Sequence, residues 1–210
     1  MYLGLTGNIA SGKNSAAMFF EKHGCYCIDA DEISRIVMSP GEAAYEGVIR
    51  EFGRSVVKEE DGTLDRKKLR DIVFNDPVKR KVLELIVQPA ILEYEQKAVG
   101  KIKGKDDKAV IITHAAITVE SGSYKRFDGL IVIYTDPKVQ LDRVMKRDSI
   151  TEEDAKKIIA AQMPIEKKLT YAQYIINNSG DIDRLEREVR RVYELISLVK
   201  KCSGKGGKHA

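Results

Sequence analysis

The stretch that most limits what this chain can become is its first twenty residues. Met1-Tyr-Leu-Gly-Leu-Thr6 reads as a short buried strand. It runs directly into Gly7-Asn8-Ile9-Ala10-Ser11-Gly12-Lys13-Asn14-Ser15, followed by the apolar run Ala16-Ala17-Met18-Phe19-Phe20 that starts a helix. A strand, a Gly-x4-Gly-Lys turn and a helix together form the phosphate-cradling P-loop pattern. Glycines let successive backbone N–H groups curl around an anion with no Cβ in the way. The helix that follows adds its unsatisfied N-terminal donors and the positive end of its dipole. Lys13 supplies a point charge to the β- and γ-phosphates of a nucleotide. The pattern ends in Ser or Thr by rule, and here that position is Asn14.

Composition narrows the class. With 210 residues, 43% hydrophobic and 32% charged, the chain reads as an ordered globular protein of one domain, or one core with insertions. Its 36 basic and 32 acidic residues leave a net charge of +4, which does not suggest a nucleic-acid partner. The local excess of Lys200, Lys201, Lys205 and Lys208 among glycines reads as a disordered basic tail over residues 201–210. No apolar run is long enough to span a membrane and no targeting pattern opens the chain, so a cytoplasmic location is expected. Cys25 and Cys27 lie two apart on one face of a strand, suited to a core and not to a metal site, and Cys202 stands alone.

Taken in order, the chain alternates strands and helices, with one interruption. Cys25–Ile28 is a second strand, ending in Asp29-Ala30-Asp31 ahead of a helix from Glu32 to Val37. Carboxylates at a strand end sit at the usual ligand edge of an α/β sheet, and either can also N-cap the helix. From Ser39 to about Lys105 the pattern is all helix, with no strand signal. It comprises Gly41–Phe52, a segment through Phe74 after the Asp61-Gly62 turn, and a helix opened by Asp76-Pro77 and broken or kinked near Pro89. Gly100–Lys108 reads as a charged link back. Ala109–Thr113, Gly129–Tyr134 and Tyr174–Asn177 are continuous apolar strands of the parallel type. Asp136-Pro137 opens a helix ending in Lys146-Arg147-Asp148, Thr151-Glu-Glu-Asp154 opens a short one, and a clean apolar stripe from Ile182 to Val199 closes the chain. The expected fold is α/β: a mainly parallel sheet covered by helices on both faces, with a helical insertion.

With these pieces in place, the chain from Tyr2 to about Ser197 resembles the dephospho-coenzyme A kinase family, P-loop kinases of the nucleoside-monophosphate-kinase type. The resemblance rests on Gly-Leu-Thr-Gly-x-Ile-x-Ser-Gly-Lys at 4–13, Ile28-Asp-Ala-Asp31 and Asp61-Gly-Thr-Leu-Asp-Arg66 with Leu69 and Phe74. It also includes Val119-Glu120-Ser121, Ala161-Gln162-Met163, and Lys168 and Ala172 before Asn178-Ser-Gly180. It implies transfer of the ATP γ-phosphate to the 3′-hydroxyl of dephospho-CoA, with Mg²⁺. ATP would lie on Gly7, Asn8, Ile9, Ala10, Ser11, Gly12, Lys13, Asn14 and Ser15, with Asn14 or Ser15 on the metal. Asp31 would be the general base, Lys13 the phosphate bridge, and Arg143 and Arg147 the clamp on the migrating group. Asp29, Arg66, Gln88, His114 and Glu120 would lie on the acceptor side with Asp31. The core would be 1–38, 106–147 and 165–200, the acceptor-binding insertion 39–105 and the lid 148–164.

Departures from the family pattern cluster at functional positions. Besides Asn14, Gln88 precedes Pro89 where the family has His-Pro. His114-Ala115-Ala116 ends the third strand, Leu169 takes a commonly basic position, and Gln173 and Asn177 replace aspartates. Three functions follow: a dephospho-CoA kinase, a kinase of the same fold with another small hydroxyl or nucleoside acceptor, or a nucleotide-binding module without catalysis.

Overall fold

The computed structural model describes residues 1–74 and 76–203. The chain folds into two compact units, one of Met1–Ile28 with Asp106–Ala210 and one of Asp29–Lys105. The helical unit thus opens at Asp29, ahead of position 39, and takes in the helix that follows the second strand.

The first unit is built on a five-stranded sheet. Its strands are β1 (Tyr2–Gly7), β2 (Tyr26–Asp29), β3 (Ile111–His114), β4 (Gly129–Tyr134) and β5 (Tyr174–Asn177), in the order β2-β3-β1-β4-β5. β1 pairs in parallel with β3 and β4, and β4 with β5. The continuous apolar runs explain this arrangement, because each central strand is buried on both faces. On β4, Ile131 and Ile133 point into one core with Leu3, Leu5 and Ile112. Leu130 and Val132 point into the other with Val119 and Ile165. The first core is closed by α1 (Lys13–Lys22) through Ala16, Ala17, Phe19 and Phe20, and by α9 (Ile182–Ser203) through Leu185, Val189, Val192 and Ile196. Cys25 is buried in the same core and Cys27 packs against it, as their spacing suggested. Burial pushes the Cys25 thiol up to about 11 and raises Cys27 further still.

The helical unit holds α2 (Ala30–Val37), α3 (Ala43–Phe52), α4 (Arg66–Phe74) and α5 (Pro77–Lys105). Two expectations are corrected here. The chain between α3 and α4 is not all helix: Val57 and Leu64 form an antiparallel bridge around the Asp61-Gly62 turn, closed by Lys58 N–H on Thr63 O at 2.8 Å. That turn is a hairpin because Gly62 takes φ 70° and the Asp61 carboxylate accepts from Thr63 N–H and Oγ1–H. The second correction concerns α5, which is neither broken at Pro89 nor finished before Gly100. Proline removes one intrahelical donor. Val87, Ile91 and Glu95, one helical turn apart, are buried on both sides of it, so the packed stripe is continuous through the defect.

The remaining helices of the sheet unit are α6 (Pro137–Asp148), α7 (Glu152–Ala160) and the short α8 (Ile165–Leu169), for which the sequence carries no clear signal. Asp136 and Thr151 cap α6 and α7 as their sequences specify, accepting from Lys138 N–H and Asp154 N–H. Residues 201–203 belong to α9 and not to a tail, while Lys205 and Lys208 lie outside the described residues.

Candidate active site

The loop between β1 and α1 takes the form its sequence demands. Gly12 sits at φ 87°, and a Cβ there would run into the side-chain amide of Asn178. A Cβ on Gly7 would collide with Ser11 Oγ at 2.6 Å. Close approach therefore requires both glycines, and the dihedral requires Gly12 a second time. Lys13 folds back so that Nζ donates to Gly7 O at 3.2 Å, which puts its charge over the loop. The first helical bond is Ala16 N–H to Gly12 O, and no side chain caps the helix, so the N terminus of α1 keeps its donors for an anion. Asn8 Oδ1 and Ser11 Oγ are buried with no hydrogen-bond partner among the described residues. Backbone donors, a lysine and the unpartnered Ser11 hydroxyl in one loop fit a bound polyphosphate.

Around this loop stands a set of amides whose roles sequence reasoning missed. Asn178, 5% exposed, donates to Ser11 O at 2.8 Å from the turn after β5. Gln140, in the first turn of α6, donates to Ile9 O at 3.0 Å. Gln162, just beyond α7, accepts from Ile9 N–H at 2.7 Å, and Asn8 Nδ2 donates to Met163 O at 3.1 Å. Gln162 and Asn178 belong to the stretches that carry the family resemblance, but nothing in a linear chain shows that they meet the loop.

Each remaining site candidate has a definite setting. Arg143 donates through its two terminal nitrogens to Asn178 O and Gly180 O, both at 2.8 Å. That guanidinium holds the turn after β5, which carries Asn178. Arg147 forms a two-bonded pair with Asp148, Nε to Oδ1 and Nη2 to Oδ2 at 2.8 Å each. The pair raises the Arg147 pKa and lowers that of Asp148, chiefly through these hydrogen bonds. About half of the Arg147 side chain is exposed, so it can exchange that partner for an anion at little cost. His114 closes β3 and is buried. Glu120, expected on the acceptor side, gives Oε1 to the Lys168 ammonium at 2.8 Å. Lys168 is fully buried and also donates to Ala116 O at 2.9 Å, so this pair ties α8 to the segment after β3.

In the helical unit, Asp29 is the N-cap of α2: its Oδ1 accepts from Asp31 N–H and Glu32 N–H. Asp31, in the first turn of the same helix, is exposed. Of the two, Asp29 takes the cap that the sequence allowed to either. Arg66 opens α4 and donates to Arg35 O at 3.4 Å. It lines a cleft of about 400 Å³ together with Arg35, Lys58, Lys67 and Asp65. Burial, and then the charge of Arg35, lower its pKa. Gln88 is half-buried on α5, one residue before Pro89.

For a metal, the donors in reach of the loop are few. Asn14 is exposed and Ser15 half-buried at the start of α1, and no group of three His, Cys, Asp or Glu side chains suited to an ion occurs among the described residues. That donor set fits an ion held mostly by the phosphates themselves, as Mg²⁺ is in nucleotide sites.

A family model described as dephospho-CoA kinase matches residues 1–184. A dephospho-CoA kinase of Aquifex aeolicus is 41% identical over 192 residues, which is 91% of this chain and 95% of the relative. Among solved structures, a Thermus thermophilus protein superposes with a TM-score of 0.79 at 28% identity, over 92% of this chain and 96% of that one. A dephospho-CoA kinase from Campylobacter jejuni does so with a TM-score of 0.68, also at 28% identity, over 93% and 96%.

Proposed function

The chain belongs to the dephospho-CoA kinase family, and from that premise we propose that it transfers the γ-phosphoryl group of ATP to the 3′-hydroxyl of dephospho-CoA, the final step of coenzyme A synthesis. The observation that carries this reading is the family match over residues 1–184, which joins the phosphate loop to the acceptor-side sequence in one chain.

Phosphoryl transfer asks a protein for alignment and positive charge more than for covalent chemistry. The N–H groups at the start of α1 and the Lys13 ammonium hold the β- and γ-phosphates. The acceptor hydroxyl oxygen bonds to the γ-phosphorus as the bond to the bridging β,γ-oxygen breaks. The hydroxyl proton passes to the Asp31 carboxylate, whose exposure at the start of α2 supports the role of base over that of cap. Arg147 leaves Asp148 to meet the charge that spreads over the transferred oxygens. Arg143 is assigned to holding the turn at Asn178 in place of a direct clamp, because each terminal nitrogen already donates one N–H to a carbonyl of that turn. Arg66, with Arg35, Lys58 and Lys67, offers the cationic wall for the acceptor's phosphates. Mg²⁺, bound through Asn14 or Ser15, would supply charge neutralisation on the phosphate oxygens.

The test incubates the protein with ATP, Mg²⁺ and a panel of hydroxyl acceptors, following product mass. Dephospho-CoA should gain one phosphate and the other acceptors none. Phosphate on some other acceptor alone, or ATP binding without turnover, would overturn the assignment.

A further inference from the structure

One residue of the phosphate loop is gripped on both sides of its backbone. Ile9 gives its N–H to Gln162 Oε1 at 2.7 Å and takes a bond to its C=O from Gln140 Nε2 at 3.0 Å. Gln140 is 6% exposed and lies in the first turn of α6. Gln162 follows α7 directly, and its neighbour Met163 accepts from Asn8 Nδ2. Between these grips the chain runs out along α6, turns at Ser149 in a left-handed conformation and returns along α7. α6 and α7 pack on each other. The excursion therefore begins on Ile9 and ends on Ile9 and its neighbour Asn8, and α7 itself, apart from the buried Ala155, is mostly charged and exposed.

We infer that Gln140 and Gln162 are positioning residues that couple the filling of the phosphate loop to the placement of α6 and α7. The inference rests on the kinase reading above, since it needs a nucleotide to fill the loop. An anion that draws the loop's N–H groups inward shifts the backbone of Ile9, and both glutamines must follow because each is held to it by a short bond. Arg147 lies at the far end of α6, so the same coupling sets where its guanidinium stands. The two amides are suited to this work: each is neutral, so neither repels a phosphate, and together they offer the one donor and one acceptor that a residue's backbone needs.

The experiment uses the full chain and a non-hydrolysable ATP analogue. Hydrogen exchange of the α7 amides is followed with and without the analogue in the wild type, Gln162→Met and Gln162→Glu. Methionine keeps the length and removes the acceptor, whereas glutamate keeps an acceptor for Ile9 N–H. In the wild type the analogue should slow α7 exchange. In Gln162→Met that protection should vanish and kcat should fall about tenfold, with analogue affinity changed less than about threefold. Gln162→Glu should recover most of the protection once the analogue is saturating, its affinity lowered because the added charge repels the phosphates. Gln140→Met should also lower kcat, and the double variant should lose less than the two single losses multiplied, because both grip one residue. Protection unchanged in Gln162→Met, or activity lost only in step with analogue affinity and thermal stability, would overturn the inference. A wild type that binds the analogue without protecting α7 would overturn it too. A wild type that does not bind the analogue at all would instead overturn the kinase reading.

Discussion

The sheet unit and the helical unit reach order by different routes. In the sheet unit Leu5, Ile111, Ile112, Ile131, Val132, Ile133 and Ile176 are fully buried, and parallel strands are covered on both faces. In the helical unit the buried side chains, among them Ile33, Val48, Leu69 and Val87, come from single faces of helices, and Phe74, Val78 and Leu85 are each about two-thirds exposed. Local stability follows buried apolar contact, so the sheet unit is the stiffer platform and the helical unit the more easily deformed one. The site chemistry divides along the same line. The stiff unit carries the phosphate loop, whose donors must be in place before an anion arrives. The softer unit carries Asp31 and the Arg66 cleft, which under the proposed function receive the larger and more flexible acceptor.

That division can be broken most sharply at Asp31. Asp31→Asn should lower kcat by about 10²–10⁴-fold, the range for loss of a general base, while leaving nucleotide affinity intact. Steady-state kinetics beside a nucleotide titration decides it. An equal loss in both would move Asp31 out of the acceptor's half of the chemistry.

The next effect falls on the sheet unit. Lys168→Met removes a fully buried ammonium and leaves the Ala116 carbonyl without its donor, while the exposed Glu120 can turn to water. Losing that donor should cost about 2 kcal/mol, or roughly 4–8 °C in Tm. Calorimetry would measure it, and a change below about 1 kcal/mol would place the pair among surface contacts.

A smaller effect is expected in the helical unit's cleft. Arg66→Leu should raise the KM for dephospho-CoA about 10- to 30-fold, the worth of one charge-assisted hydrogen bond, with ATP affinity unchanged. A shift in ATP affinity instead would dissolve the division of labour. The least effect belongs to Asn14→Ser, which restores the hydroxyl of the usual pattern. It should lower the Mg²⁺ concentration for half-maximal rate about threefold, since a hydroxyl sits closer to the backbone than an amide oxygen does. A titration with no shift would mean that the phosphates alone hold the ion.

Much of the fold could be read because its signals are local. β4, β5 and the starts of α6 and α7 follow from apolar runs and from caps such as Asp136 and Thr151, which depend on residues a few positions apart. The continuity of α5 through Pro89 and the bridge flanking the expected Asp61-Gly62 turn come from the opposite case. A proline inside a helix is a local penalty, and only the stripe of Val87, Ile91 and Glu95 overrides it. A hairpin joined by one bridge gives no alternation long enough to detect.

The site divides in the same way. The identity of the phosphate loop was determined by the sequence alone, because Gly7, Gly12 and Lys13 act through their own backbone and their own charge. So was the candidacy of Asp29 and Asp31 for capping and for chemistry. Only the tertiary structure decided which carboxylate caps, since that depends on where α2 begins. It also decided that Arg143 donates to the turn after β5, that Glu120 pairs with Lys168, and that Gln140 and Gln162 meet on Ile9. Those are bonds between residues up to about 150 positions apart, and a hydrogen bond's geometry exists only once the chain has brought its partners together.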